Sequence, residues 1–220
     1  MNKFENIYDA NSLTFDQLRE MDIEDSFNNT TSEEKIIQNP LQTAPQIVNV
    51  VSTFQVNCEL NLNKILMKAR NCEYNPKRFS ALVMRITVPR ATALIFPKGK
   101  IVCTGCKTIE ESRVACKKFA KIIKKLGYPI RYSHFNVQNI VSTARTHFEV
   151  SLNKLSLDHC DLVKYDPEIF PGLVYTLPDL NMKALIFRSG NIVFLGAKEE
   201  EAMKRAYAKL YQILMVCKYN

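Results

Sequence analysis

A stretch of apolar, strand-forming residues broken by a glycine turn, ALIFPKGKIVCTG (Ala93 to Gly105), returns later in the chain as ALIFRSGNIVFLG (Ala184 to Gly196). The offset is constant: Phe96 and Phe187 lie 91 positions apart, and so do Gly105 and Gly196. Self-similarity at a fixed spacing means that two parts of the chain build the same unit, which excludes most other architectures at once. Each copy reads as a β-hairpin, two runs of Ile, Leu, Val and Phe joined by a Gly-containing turn.

The repeat extends on both sides. PQIVNVVST is a strand apolar on both faces through Ile47, Val48, Val50 and Val51, interrupted by Asn49, and its counterpart is NVQNIVST, Asn136 to Thr143. A helical pattern follows over Asn61 to Ala69, with Leu62, Ile65, Leu66 and Ala69 on one face, matched by Ser151 to Cys160. YNPKRF (Tyr74 to Phe79) answers YDPEIF (Tyr165 to Phe170), each a proline turn leading into an apolar strand, SALVMRI or PGLVYTL. A long helix closes each unit. The first spans Glu110 to Leu126, with Val114, Phe119, Ile122, Ile123 and Leu126 expected on the buried side, acidic residues at its start and lysines towards its end, as the helix dipole favours. Gly127 is its expected stop. The second runs from about Lys198 to Met215, with Ala202, Ala206, Leu210 and Leu214 inward.

The expected class is therefore α+β: two pseudo-symmetric repeats, 46–135 and 136–220, whose strands merge into one curved antiparallel sheet with helices on the convex face. Period-2 alternation puts Leu94, Phe96, Val102, Leu185, Phe187 and Val193 on one face and Ala93, Ile95, Ile101, Ile186 and Ile192 on the other. If helices cover the second set, the first is an uncovered apolar face, which on a protein surface marks a binding site. The alternative is that both faces are buried.

Charge is distributed unevenly. Residues 1–45 hold 3 basic and 9 acidic residues, residues 46–135 hold 17 and 4, and residues 136–220 hold 10 and 9. The acidic first segment, rich in Asn and Thr and broken by Pro40 and Pro45, reads as a disordered arm with one short helix around Ser12–Met21. It acts either as a solubilising tail or as a competitor folded over the basic repeat. The basic first repeat suits a polyanion, nucleic acid first, or is a solvated face. No run of 18 apolar residues is present, so no transmembrane helix is expected, and the start of the chain lacks the pattern of a secretory signal. Seven cysteines in such a chain suggest reduced thiols.

At YNPKRF, ALIFPKGKIVCTG and the paired NVVST and NIVST strands, the chain resembles the TATA-binding protein family, in register over residues 45–216. The resemblance implies a saddle whose concave sheet sits in a widened DNA minor groove. It implies that Phe79 with Phe96, and Phe170 with Phe187, are wedge pairs that unstack a base step at each end of the site. Asn49 and Asn139 correspond to a central pair that hydrogen-bonds minor-groove acceptors. Val51, Val141, Leu94, Leu185, Val102 and Val193 correspond to the apolar floor, with Thr104 beside it. Phosphates would be met by Lys77, Arg78, Arg85, Lys98, Lys100 and Lys107 in the first repeat and by Arg188 and Lys198 in the second. The implied partners are double-stranded DNA, bound by a monomer, together with transcription factor IIB at Asp166 and Glu168. Factor IIA and similar acidic partners would bind Lys117, Lys118, Lys121, Lys124 and Lys125, and factors associated with the TATA-binding protein and the RNA polymerase machinery complete the list. The implied location is the nucleus.

The groove chemistry agrees with the implied floor. A·T pairs present only acceptors in the minor groove, whereas G·C adds an amino donor that an apolar floor leaves unpaired. The second copy departs from the family pattern. Leu195 stands where a threonine is usual, Lys183 where an apolar floor residue is usual, and Thr176, Asp179, Asn181 and Asn191 where basic residues are usual. A weaker phosphate grip and relaxed readout under the second repeat follow.

No catalytic constellation emerges from the isolated His134, His147 and His159, and the glycines form no phosphate loop. Cys103-x-x-Cys106 lacks the second pair a structural zinc needs, so no metal or cofactor is expected. Two functions remain: a non-enzymatic general transcription factor that binds A/T-rich promoter DNA and nucleates pre-initiation complex assembly, or a divergent scaffold for transcription partners with weak DNA binding.

Overall fold

The structure, a computed structural model, describes residues 44–219. The expected acidic arm, with its short helix near Ser12–Met21, lies outside the described residues apart from its last two positions. The chain from Pro45 onward forms one compact unit.

Each repeat opens with a long strand, β1 (Gln46–Gln55) or β6 (Ser133–Arg145). A short helix follows, α1 (Leu62–Lys68) or α3 (Leu152–Asp158). The first repeat continues with β2 (Cys72–Glu73), β3 (Leu82–Thr87), β4 (Arg90–Ile95), β5 (Lys100–Cys106) and α2 (Ile109–Lys125). The second continues with β7 (Val163–Lys164), β8 (Leu173–Leu177), β9 (Met182–Ile186), β10 (Asn191–Ala197) and α4 (Glu200–Val216). A single 3-10 turn over Pro178–Leu180 joins β8 to β9.

The ten strands form one antiparallel sheet in the order β2-β3-β4-β5-β1-β6-β10-β9-β8-β7, a sequence that reads the same way outward from its centre. At that centre Asn49 lies opposite Val141 and Val51 opposite Asn139, so β1 and β6 exchange equivalent residues across a local twofold. The α+β class and the two-repeat sheet are as expected.

The helices back one face. Beneath α1 and α2, the first core gathers Phe54, Ile65, Leu82, Met84, Ile95, Ile101, Phe119 and Ile123. The second gathers Ile140, Leu155, Tyr175, Ile186, Ile192, Phe194, Leu210 and Leu214. Thr108 caps α2 by accepting from the Glu111 N–H (3.0 Å), and the Glu111 carboxylate accepts from the Lys107 N–H (3.1 Å). Glu110 and Glu111 open this helix and Lys124 and Lys125 close it.

One helix residue was misplaced by the sequence pattern. Val114, expected on the inner face of α2, is 56% exposed. The buried stripe is Ser112, Ala115, Cys116, Phe119, Ala120 and Ile123. Small side chains let the helix approach the sheet closely, and a reading that weights large apolar residues passes over them. Cys103 and Cys106 are buried in this same layer.

Candidate nucleic-acid interface

The face away from the helices is built in rows by cross-strand register. In the first repeat, Val83, Leu94, Val102 and Thr53 are successive partners across β3, β4, β5 and β1. Val174, Leu185, Val193 and Thr143 repeat this row across β8, β9, β10 and β6. Their neighbours along each strand, Ala93, Ile95, Ile101, Ala184, Ile186 and Ile192, are buried in the helix-backed cores, so period 2 fixes which side chains point the other way.

The expectation of an open apolar face needs correction. Val102, Val141, Leu185 and Val193 are all buried, Val141 fully, although they belong to neither helix-backed core. Leu94 and Val51 are half-buried. Alternation along a strand fixes the direction of a side chain, whereas exposure depends on everything that surrounds it.

Two phenylalanine pairs flank these rows. Phe79 and Phe96 meet edge to face with ring centroids 6.4 Å apart, and Phe170 and Phe187 do so at 5.8 Å. Local turns hold each ring. The Phe79 N–H donates to the Asn75 carbonyl and the Phe170 N–H to the Asp166 carbonyl, closing one helical turn after each proline motif. The Phe96 N–H bonds the Lys100 carbonyl and the Phe187 N–H the Asn191 carbonyl, closing each hairpin. A residue missed at the sequence level lies under the second pair. A Cβ placed on Gly172 would stand 2.6 Å from Cε1 of Phe170 and 3.0 Å from Cε1 of Phe187. The equivalent position in the first repeat is Ala81, where the rings stand farther apart.

The central asparagines are oriented by the hairpin glycines. Gly105 (φ +97°) and Gly196 (φ +99°) occupy the left-handed region that favours glycine. That conformation turns the Gly105 N–H onto Asn49 Oδ1 and the Gly196 N–H onto Asn139 Oδ1, each at 2.8 Å. Because the oxygen accepts from a backbone donor, the amide orientation is fixed. Thr104 Oγ1 also donates to Asn49 Oδ1 (3.1 Å), so this hydroxyl proton positions the asparagine. Leu195 gives Asn139 no such second donor. Among the described residues, Asn139 Nδ2 is buried with no hydrogen-bond partner, and a buried donor left so costs about 1–3 kcal/mol.

The expected phosphate contacts are all exposed: Lys77 and Arg78 in the turn before Phe79, Lys98 and Lys100 at the hairpin, Lys107 after β5, Lys198 after β10, Arg85 on β3, and Arg188 at the second hairpin. Arg85 and Arg188 are engaged within the described residues. Arg85 pairs with Glu73 (2.7 Å), while Arg188 pairs with Glu149 (3.3 Å) and stacks on Tyr219. On the helix-bearing side, Lys117, Lys121, Lys124 and Lys125 are exposed along α2, and Lys118 Nζ donates to the Val88 carbonyl (2.6 Å). Asp166 and Glu168 are exposed, and Asp166 Oδ1 accepts from the Glu168 N–H (3.2 Å), which shapes the turn. Between them and Phe170 stands Ile169, 83% exposed, which the reading for charge overlooked.

Fold and face together define a class: a two-repeat antiparallel sheet with helices on one side and phenylalanine pairs flanking the other. Residues 44–126 and 134–217 match the family described as transcription factor TFIID, or TATA-binding protein. The chain is 53% identical over 186 residues to TATA-box-binding protein 2 of Entamoeba histolytica, covering 84% of this chain and 88% of that one. It is 46% identical over 175 residues to the TATA-box-binding protein of Acetabularia peniculus, covering 80% and 92%. The solved structure of the Methanococcus jannaschii TBP superposes with a TM-score of 0.70 at 38% identity, covering 79% of this chain and 99% of that one. The chain belongs to the TATA-binding protein family, whose members are non-enzymatic DNA-binding transcription factors.

Proposed function

We propose that the chain is a general transcription factor that binds TATA-type DNA through the minor groove. The observation that carries this reading is the buried, unpartnered Nδ2 of Asn139, held in orientation by the Gly196 N–H. A donor at the centre of an apolar floor matches the acceptors that A·T pairs present in the minor groove, and it has no match at the guanine amino group. Phe79 with Phe96 and Phe170 with Phe187 insert at the two ends, kinking the duplex away from the sheet. Flexible pyrimidine–purine steps lower the cost of unstacking, a few kcal/mol per step, which the added apolar contact offsets.

The bound form is a monomer, since the two repeats supply both half sites. It works in the nucleus and nucleates assembly of the pre-initiation complex. Lys117, Lys121, Lys124 and Lys125 on α2 suit acidic partners of the factor IIA type. Asp166 and Glu168, with the exposed Ile169 next to them, suit a partner such as factor IIB that offers basic groups around an apolar pocket. TATA-binding-protein-associated factors and the polymerase machinery then join.

Equilibrium binding of a TATA duplex, compared with a duplex in which G·C pairs replace the central A·T pairs, tests the reading. We expect each replaced pair to cost about 1–3 kcal/mol. Equal affinity for the two duplexes would overturn it.

A further inference from the structure

The row next to the floor differs between the repeats in a way that moves a charge. In the first repeat, Arg85, Thr92 and Thr104 are successive partners across β3, β4 and β5. The equivalent residues of the second repeat are Thr176, Lys183 and Leu195, partners across β8, β9 and β10. The cation at the outer position of the first row is therefore absent from the second, and another stands one strand further in. Neighbouring strands are about 4.8 Å apart, well within the reach of a lysine side chain.

Lys183 faces the interface side. Met182, Ala184 and Ile186 on either side of it are buried in the second core, while Lys183 shares the opposite face with Leu185. Its cross-strand neighbours Thr176 and Leu195 carry no charge. Arg85 is held by Glu73, but the position equivalent to Glu73 is Lys164, so the neutralising carboxylate also has no counterpart. Asp179, the closest acidic residue in sequence, is paired with Lys209. Lys183 has no acidic partner among the described residues. A lysine stem can lie along Leu185 and Leu195 while its ammonium reaches past them.

We infer that Lys183 is a DNA-contacting residue that neutralises a backbone phosphate of the half site under the second repeat, taking the place that Arg85 holds under the first. This rests on the minor-groove reading above. It also changes the expected asymmetry of the molecule. The second repeat loses sequence-reading polar groups with Leu195, but it keeps a cation in the row beside the floor. Its grip is thus less selective without being correspondingly weaker.

The salt dependence of affinity for a TATA duplex separates the outcomes. Each phosphate neutralised contributes about 0.9 to the slope of log affinity against log salt concentration. Lys183→Met retains the stem and removes the charge, so its slope should be shallower than wild type by about 0.9, with similar loss for different A/T-rich sites. Lys183→Arg should keep the wild-type slope. Circular dichroism melting verifies that both variants fold. Wild-type binding with an unchanged slope for Lys183→Met would overturn the assignment of Lys183 alone. An unchanged slope with relaxed A·T discrimination would likewise overturn the phosphate contact, in favour of a base-edge one. Failure of wild type to bind the duplex would overturn both this inference and the minor-groove reading.

Discussion

Gly172 shows how one residue sets the geometry of a wedge. Its missing side chain leaves the space that Phe170 and Phe187 occupy, and a methyl group there would fall within 3.0 Å of both rings. Gly172→Ala must push the pair apart, at a cost of about 1–3 kcal/mol for overpacking. If the second wedge contributes to binding, affinity for a TATA duplex should fall roughly fivefold or more, measured by fluorescence anisotropy. Unchanged affinity would remove this pair from the interface. The phenylalanines themselves were legible in the sequence because the motifs around them repeat. Gly172 was not, because a glycine carries no pattern of its own and its importance lies in what approaches it. The same holds for Thr104. Its place in the row was legible, but its hydrogen bond to Asn49 depends on a left-handed glycine that only the backbone reveals.

At the scale of elements, the two repeats solve the same packing problem with different chemistry. Between β5 and α2 the first repeat places Cys103, Cys106 and Cys116, with Ser52 Oγ 2.6 Å from Ser112 Oγ and 3.4 Å from Cys116 Sγ. Hydrogen bonding to the Cys106 and Cys116 sulphurs, reinforced by burial, pushes the Cys103 thiol well above its ordinary range. The second repeat has Phe194, Ala197 and Tyr207 at the three equivalent positions, with the Phe194 and Tyr207 rings 6.3 Å apart. Ser142, the counterpart of Ser52, is left with its hydroxyl buried and unpaired among the described residues. The substitutions Ser52→Ala and Ser142→Ala should therefore have unlike effects. Removing the Ser52 hydroxyl breaks a satisfied network and should cost about 1 kcal/mol, whereas removing that of Ser142 should be neutral or stabilising. Thermal melts of the two variants measure this, and equal destabilisation would contradict the packing described. The succession of elements in each repeat and their merging into one antiparallel sheet were legible from the repeat. The inner face of α2 was not, because Ser112, Ala115 and Cys116 make a weaker apolar signal than Val114 while fitting better against the sheet.

For the whole molecule, the local twofold gives both ends of the sheet the same design, and the substitutions between copies make them unequal. Among the described residues, Asn49 is fixed by two donors, Gly105 and Thr104, and Asn139 by Gly196 alone. Readout should be stricter under the first repeat. Replacing A·T by G·C pair by pair across a TATA site, with affinity read by gel shift, should show larger losses in the half site under the first repeat. Equal losses would show that Leu195 leaves selectivity intact. The sheet and its twofold followed from the repeat alone, but the state of the interface side did not. Val102, Val141, Leu185 and Val193 are buried there and Val51 and Leu94 half-buried, a property of surroundings rather than of alternation.

The proposed action of the two phenylalanine pairs is to kink DNA. A TATA duplex carrying donor and acceptor dyes at its ends reads the kink as a rise in energy transfer when protein is added. Wild-type protein should bring the ends together. Phe96→Ala should reduce the rise, and Phe187→Ala should do so from the other end. Binding of the wild type with no change in transfer would contradict wedge insertion, whatever the affinity.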